Sequence, residues 1–449
     1  MRRGAMTDDA PLSRRNDRSD WRATPRVFGA LVAVSIGAAA FAMAFRSALS
    51  FVYGSLLHAH DVLDAFEKLP VAARIALPAI GAFLAGVVVR LAAKVPSQGV
   101  GDVMEAVVLG RTRLSMRGTA FKALASWLAI ATGGSVGREG PLIQFGGSLG
   151  AAVASFAKIH GTAARALIAA GTAAGFAAAY NTPLAAVLFV IEVVSGVVTI
   201  GPLVMVMVAT AIATALLRAT VGGGPIYGQR AFTVTTTTEL LTHAVLGLLA
   251  ALAAHAFMRL LSTGERAFAR SGLPQPWRAT IGGALVGLLA IALPQVTGNG
   301  YEPLNLLLDE RYSLRLVAVL VVAKAVATTS SVSSGSPGGV FTPSLFIGGG
   351  LGMLWGHAVG AMLGTPGSEG SYALVGMAAV TAATTHAPLM ASVLVFELSG
   401  DYAIVLPLVL ATAIATLVSR RLGRDSIYTA ELRRRGVDWE STVHGGRSR

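Results

Sequence analysis

The chain has 449 residues, of which 54% are hydrophobic and 13% charged, and its mean hydropathy is +0.65. This composition excludes an ordinary soluble globular domain and indicates an integral membrane protein. The formal net charge is +13, but many of the arginines lie in the two ends of the chain with few aromatic residues among them, which argues against nucleic-acid binding.

The first segment along the chain is a polar tail, residues 1–26, which contains seven arginines. A second polar tail with its own arginine cluster occupies residues 433–449. Basic residues beside membrane spans mark the cytoplasmic side. Both termini are therefore predicted to be cytoplasmic, with an even number of full crossings between them.

Apolar runs of two lengths follow the N-terminal tail. Residues 27–45, 198–217 and 240–258 are each close to the ~20 residues that span a bilayer. The runs at 119–132 and 183–191 are too short to cross alone. Short segments broken by glycine and proline usually line a cavity in a membrane protein, because lipid cannot satisfy open backbone groups.

Two segments of the chain recur at a nearly constant spacing. Residues 171–192 align with 376–397 at an offset of 205, and ten of the 22 positions are identical. Residues 141–150 align with 343–352 at an offset of 202. Such duplication is typical of transporters whose substrate site lies where two halves meet.

The repeat predicts a division of the membrane region into two halves. The first half covers residues 27–220 and the second covers 239–432, with a linker at 221–238. The expected fold class is an all-α polytopic membrane protein with interrupted helices.

A glycine-rich stretch precedes a proline in each half, in "GREGP" (137–141) and "GGVFTP" (338–343). Proline suits the first turn of a helix, and glycine lets backbone amides approach a ligand. A helix start carries free N–H groups and a partial positive charge. Two such starts aimed at one point would form an anion site without a lysine or arginine side chain.

The alternative for these glycines is close helix packing. Packing is the better interpretation for "GGSLG" (146–150) and "GGGLG" (348–352). It does not explain Glu139, a carboxylate in a region almost free of charge.

Residues 146–150 also match the G-x-S-x-G pattern of hydrolases, with Ser148 at its centre. That pattern needs a strand-to-helix turn and a positioned histidine, whereas Ser148 lies in an apolar helical stretch. An intramembrane hydrolase is therefore the weakest alternative, and no enzyme activity is expected. The chain has no cysteine, and its eight histidines lack metal-ligand spacing, so neither a metal nor a cofactor is predicted.

Four motifs together resemble the CLC family of chloride channels and proton/chloride exchangers. They are "GREGP" (137–141), "GGVFTP" (338–343), "NTPLAAVLFVIE" (181–192) and "DSIYTAELRRRG" (425–436). The resemblance implies two inverted-topology repeats of tilted, partly discontinuous helices, in a homodimer with one pore per subunit. It also implies a bacterial type without CBS domains, in the inner membrane.

The resemblance assigns a gating role to Glu139, whose ionised side chain would occupy an anion site and leave it on protonation. The Phe341 amide and the Tyr428 hydroxyl would bind the anion. The remaining residues expected around the anion are Gln98, Gly99, Gly137, Arg138, Gly140, Gly339 and Val340.

The first family motif departs from its usual form. GSGIPE or GHGVPE is usual, whereas this chain reads "SQGVGDV" at 97–103. Gln98 replaces the serine or histidine that faces the ion, Gly101 replaces the proline and Asp102 the glutamate. A glutamine amide can donate to an anion, so the resemblance leaves the preferred anion open.

A second departure concerns protons. Well-coupled exchangers of the family have an internal glutamate at the position of Val193. Its neighbour Glu192 is either a substitute acid on the proton path or a structural group near the cytoplasmic end. The sequence therefore predicts channel-like or weakly coupled chloride transport, with a coupled antiporter or an unrelated secondary transporter with inverted repeats as alternatives.

Overall fold

The computed structural model describes residues 25–92, 99–110, 114–196, 200–228, 237–364, 369–439 and 442. Within these ranges the regular structure is helical and contains one isolated β-bridge. The α-helices are α1 Pro25–Phe51, α2 Val62–Lys68, α3 Val71–Leu91, α4 Val100–Leu109, α5 Met116–Ala131, α6 Glu139–Phe156, α7 Gly161–Tyr180, α8 Pro183–Phe189, α9 Ile200–Val221, α10 Thr237–Arg270, α11 Gln275–Ala292, α12 Tyr301–Leu308, α13 Leu314–Ser333, α14 Phe341–Leu363, α15 Glu369–Thr385, α16 Pro388–Ser399, α17 Val405–Leu422 and α18 Ile427–Arg434. Shorter helical segments are the π-helices Val52–Leu56 and Val190–Ser195 and the 3₁₀ turn Pro294–Val296.

Eight helical segments of the described residues are long and apolar enough to cross a membrane. Of the three runs predicted as spans, 27–45 lies in α1 and 240–258 in α10, and residues 200–217 of the third lie in α9. Each of these helices belongs to this set, and residues 198–199 are outside the described ranges. The all-α polytopic fold class is therefore confirmed. The short runs at 119–132 and 183–191 correspond to α5 and α8, which have 16 and 7 residues.

Two buried helices, α7 and α15, pack against the helices that precede them in their own halves. In the first half a Cβ at Gly146 would overlap the Gly171 carbonyl, and in the second half a Cβ at Gly348 would overlap that of Gly376. Each pair therefore permits backbone-to-backbone contact between α6 and α7 or between α14 and α15. The packing interpretation of "GGSLG" and "GGGLG" is confirmed.

The two halves also share a turn. Asn181 ends α7 with φ 57°, and His386 follows α15 with φ 58°. In both halves a proline then begins a short helix, α8 or α16. Both residues adopt the left-handed conformation, so His386 is a polar turn residue. The limits of the halves remain a prediction, although α9 ends and α10 begins at the edges of the predicted linker.

Candidate functional site

Helices α6 and α14 begin at the same place in the molecule. Just before them, the Gly137 N–H donates to the Gly339 carbonyl at 2.7 Å, and the Gly339 N–H donates to the Gly137 carbonyl at 2.8 Å. These two bonds form an isolated antiparallel bridge between the halves. The prediction that both glycine-rich helix starts meet at one point is confirmed, and Glu139 and Phe341 are the first residues of the two helices.

The Glu139 carboxylate lies between these helix starts and is only 1% exposed. Its Oε1 accepts a hydrogen bond from the Phe341 N–H at 3.0 Å, and its Oε2 accepts one from the Thr342 hydroxyl at 3.1 Å. The Tyr180 hydroxyl lies 3.3 Å from the same Oε2. A negatively charged group thus occupies a pocket of neutral donors at the positive ends of two helices, which is the chemistry of an anion site.

Two glycines make room for the carboxylate. A Cβ at Gly137 or at Gly339 would overlap the carboxyl group of Glu139. Neither position requires a positive φ, so a side chain is excluded by the space that Glu139 takes rather than by backbone strain.

Replacing Gly339 by alanine is therefore expected to displace the Glu139 carboxylate from the Phe341 N–H. Because the new methyl group stands in the same pocket, anion flux should fall while its dependence on pH weakens. Gly29→Ala is a control, since a Cβ at Gly29 meets nothing within 4 Å. Flux from reconstituted vesicles at several pH values checks this prediction, and a Gly339→Ala pH profile equal to that of the unmodified chain would contradict it.

A cavity of about 1130 Å³ reaches Glu139 from one side. Six residues proposed from the sequence line it: Gly99, Glu139, Gly140, Gly339, Val340 and Tyr428. Charged side chains of α18 and of the segment before it also line the cavity, including Asp425, Glu431 and Arg433.

The other proposed residues have different positions. Phe341 contributes its backbone N–H to Glu139, and Gly137 forms the bridge. The Arg138 guanidinium lies 5.9 Å from the centre of the Tyr301 ring, so this side chain packs on an aromatic face. Gln98 lies outside the described residues.

Tyr428 is held near the cavity by α18. Ser426 caps the start of this helix, and its hydroxyl accepts from the Thr429 N–H at 3.2 Å. After its last turn, Arg435 donates to Asp102 of α4 at 2.9 Å. The Tyr428 ring meets Phe189 edge-on, with the centroids 6.0 Å apart. Asp102, one of the departures from the family motif, therefore ties the helix that carries Tyr428 to the segment that begins with Gly99.

Glu192 and Glu397, equivalent positions of the repeat, each contact the other half. The Glu192 carboxylate accepts from the N–H groups of Leu389 and Met390 at 3.2 and 2.7 Å. The Glu397 carboxylate accepts from those of Leu184 and Ala185 at 3.0 and 2.8 Å. Each glutamate thus supplies acceptors to the first turn of the short helix in the opposite half, where backbone N–H groups lack helical partners.

Val193 lies next to Glu192 in a π-helix, Val190–Ser195, and is 4% exposed. The Glu192 carboxylate is directed to α16, while the neighbouring position carries a side chain that cannot titrate.

Sequence reasoning missed Tyr180 and Thr342. Their hydroxyl oxygens lie 2.9 Å apart, and both approach Oε2 of Glu139. Thr342 stood within a quoted motif, and its place one residue after Phe341 could have indicated it. Tyr180 ends an alanine-rich helix, and the sequence around it gives no sign that it reaches α14.

Ser148 does not have the setting of a hydrolase nucleophile. It lies in the middle of α6, and its hydroxyl is 2.7 Å from that of Thr119. Neither a strand nor a turn adjoins it within the described helix. The hydrolase alternative therefore has no support at this position.

Comparison with known proteins gives consistent matches. A family model described as voltage gated chloride channel matches residues 80–420. A putative chloride channel protein ClcB-like from Ralstonia nicotianae is 38% identical over 405 residues, which are 88% of this chain and 94% of that protein. The voltage-gated ClC-type chloride channel ClcB of Escherichia coli is 34% identical over 416 residues, which are 89% of this chain and 97% of that protein.

Solved structures match over nearly the whole chain. A slow cyanobacterial Cl⁻/H⁺ antiporter superposes with a TM-score of 0.83 at 24% identity, covering 93% of this chain and 100% of that one. A CLC-type fluoride/proton antiporter superposes with a TM-score of 0.76 at 24% identity, covering 90% of this chain and 97% of that one. At this level of identity the likeness establishes the fold.

Proposed function

The chain belongs to the voltage-gated chloride channel family, and we propose that it carries chloride across the membrane through a site that Glu139 gates. The observation that supports this most is the position of the Glu139 carboxylate, which accepts from the Phe341 N–H at the start of α14. Family membership removes the alternative of an unrelated secondary transporter.

The proposed gate works by competition. When ionised, Glu139 uses the Phe341 N–H and the Thr342 hydroxyl as donors. When protonated, it loses about half of the strength of these hydrogen bonds, because bonds to an ionised group are about twice as strong as neutral ones. A chloride ion can then take the vacated donors, and the shell around it comprises Gly137, Gly140, Gly339 and Val340, with Gly99 and Tyr428 towards the cavity. Gln98 stays in this shell as a proposal from the sequence alone.

Chloride efflux from reconstituted vesicles tests this function. Vesicles loaded with potassium chloride are diluted into a medium containing a large impermeant anion, and valinomycin is added to release potassium. Chloride should leave rapidly only from vesicles that contain the protein. Efflux equal to that of protein-free vesicles would contradict the proposal, and the same assay with nitrate and fluoride determines the preference that Gln98 left open.

We also propose that proton coupling is weak or absent. Val193 cannot carry a proton, and the Glu192 carboxylate is bonded to two N–H groups of α16. The second candidate function is a coupled antiporter, which the known function of the structurally similar proteins favours.

We propose that the chain forms a homodimer through a surface that includes α8 and α16. Helices α8 and α16 are too short to cross a bilayer, and they expose Leu184 and Leu389, at 54% and 53%. The partly exposed carboxylates of Glu192 and Glu397 lie beside these leucines. Polar groups at a short helix cannot face lipid without a large energetic penalty. A second copy of the chain packed against α8 and α16 would shield these groups from lipid.

The double variant Leu184→Arg/Leu389→Arg is expected to shift the purified protein from dimer to monomer. The two new arginines of each subunit would lie in an apolar interface, close to those of the second subunit, which is strongly unfavourable. Cross-linking and single-molecule photobleaching in vesicles count the subunits. An unmodified chain that is already monomeric would contradict the proposed dimer, and Leu285→Arg, an exposed leucine of α11, controls for general damage by a charge.

The proposed location is the bacterial inner membrane, with both termini in the cytoplasm. The arginines of the two tails support this orientation through the positive-inside rule.

A further inference from the structure

We propose that Tyr180 is a positioning residue for the gate: it donates its phenolic proton to Thr342, which directs the Thr342 hydroxyl proton to Glu139. This inference rests on the proposed gating by Glu139. The Tyr180 and Thr342 hydroxyl groups hold the ionised Glu139 side chain in the anion site, and they bind the anion after that side chain leaves.

The geometry favours a relay over two separate bonds. The Tyr180 and Thr342 oxygens are 2.9 Å apart, the Thr342 oxygen is 3.1 Å from Oε2 of Glu139, and the Tyr180 oxygen is 3.3 Å from that Oε2. Hydroxyl bonds prefer oxygen separations of about 2.5–3.0 Å. The longest side of this triangle is therefore the weakest candidate for a bond.

Counting protons leads to the same arrangement. An ionised carboxylate only accepts, and each hydroxyl has one proton to donate. Two protons are available for three oxygen–oxygen contacts, so one contact has none. If the two shorter contacts hold the protons, Tyr180 donates to Thr342 and Thr342 donates to Glu139.

The surroundings of Tyr180 show that packing alone does not require its hydroxyl. The ring lies among the rings of Phe176 and Phe341, with centroid separations of 5.1 and 5.6 Å. Phenylalanine would fill the same space. Tyr180 is only 5% exposed, and burying a hydroxyl is unfavourable unless it has a partner, so the hydrogen bond at the gate is the reason for a tyrosine here.

The relay also brings the two halves together. Tyr180 is the last residue of α7, and the left-handed turn at Asn181 follows it directly. Thr342 lies in the first turn of α14. The Tyr180–Thr342 bond therefore joins the first half to the second beside the carboxylate, so movement at the α7–α8 turn would alter the donor that faces Glu139.

The relay predicts the direction of a pH effect. Flux is blocked while ionised Glu139 is in the site, and protonation releases it. Donors that stabilise the ionised form of Glu139 therefore keep the gate closed until the pH falls further. Tyr180→Phe should therefore move the midpoint of activation to higher pH by up to about one unit, which is a tenfold change in the gating equilibrium.

A double-mutant cycle tests the relay. Thr342→Val removes the hydroxyl that contacts Glu139, and its midpoint should shift upwards at least as far as that of Tyr180→Phe. Because Tyr180 acts through Thr342, the double variant should shift no further than Thr342→Val alone. Thr342→Ser retains the hydroxyl and should restore the original midpoint.

Tyr372→Phe is the matched control. Tyr372 is a buried tyrosine whose hydroxyl is 2.5 Å from the Thr242 hydroxyl, and neither residue lines the cavity that reaches Glu139. Tyr372→Phe removes a tyrosine–threonine hydrogen bond of the same kind away from Glu139, so the pH midpoint of chloride flux should not move.

The outcomes separate this inference from the proposed gate. An unchanged midpoint in Tyr180→Phe would overturn the inference, and so would additive shifts in the double variant, which would indicate independent bonds. Glu139→Gln is measured alongside. If its flux stays as pH-dependent as that of the unmodified chain, the gate itself fails; if that dependence is lost while Tyr180→Phe shows no shift, only the relay fails.

Discussion

Glu139→Gln is expected to conduct chloride at all pH values tested, with a flux at neutral pH several times that of the unmodified chain. The amide has the size of the carboxyl group but no charge. It loses the charge-assisted bonds to the Phe341 N–H and the Thr342 hydroxyl, each worth about 1.5–3 kcal/mol for a charged partner. The site is then open to chloride without a protonation step.

Valinomycin-driven chloride efflux, measured between acidic and alkaline pH, checks this expectation. Glu67→Gln removes a carboxylate from an exposed position of α2, and its pH profile should match that of the unmodified chain. A Glu139→Gln protein that retains a normal pH profile would show that another group is the gate. Loss of all flux, with the protein still folded and inserted in the vesicles, would contradict the competition between carboxylate and anion.

The second large effect concerns protons: a chloride gradient is expected to drive little or no uphill proton uptake. Stoichiometric exchange needs an acid that takes up protons from the cytoplasm while chloride occupies the pore. Val193 cannot do this, and Glu192 is bonded to α16 through the Leu389 and Met390 N–H groups. Releasing that carboxylate would leave two N–H groups in the first turn of α16 without their acceptor.

The repeat supplies a matched pair of variants for this prediction. Glu192→Gln and Glu397→Gln each weaken one link to the opposite half, so both should lower the thermal stability by similar amounts. Neither should change the ratio of protons to chloride. Robust proton pumping at a fixed ratio, lost in Glu192→Gln but kept in Glu397→Gln, would overturn the weak-coupling prediction and identify Glu192 as the substitute acid.

The parts of the site that local chemistry determines could be predicted from the sequence. Glycine followed by proline predicts a helix start with accessible N–H groups, because both residues act on their own backbone. The repeat then implied that two such starts are equivalent. The meeting of Gly137 with Gly339, and of Glu139 with Phe341, agrees with that reasoning.

Other parts depend on packing between distant segments. Tyr180 reaches Thr342 only because α7 packs beside the start of α14, 162 residues further along the chain. The repeat indicated that Glu192 and Glu397 are equivalent, but not that each one contacts the helix of the other half. Such partners follow from the arrangement of whole helices, which residue spacing alone does not specify.

Chloride and the Glu139 carboxylate are proposed to compete for one place between the starts of α6 and α14. The most direct measurement is an experimental structure of Glu139→Gln crystallised in bromide, with the anion located by its anomalous scattering. We expect a bromide within hydrogen-bonding distance of the Phe341 N–H and the Thr342 hydroxyl, with the glutamine side chain displaced. A glutamine that remains on those donors, with bromide bound only elsewhere in a protein that still conducts chloride, would contradict it.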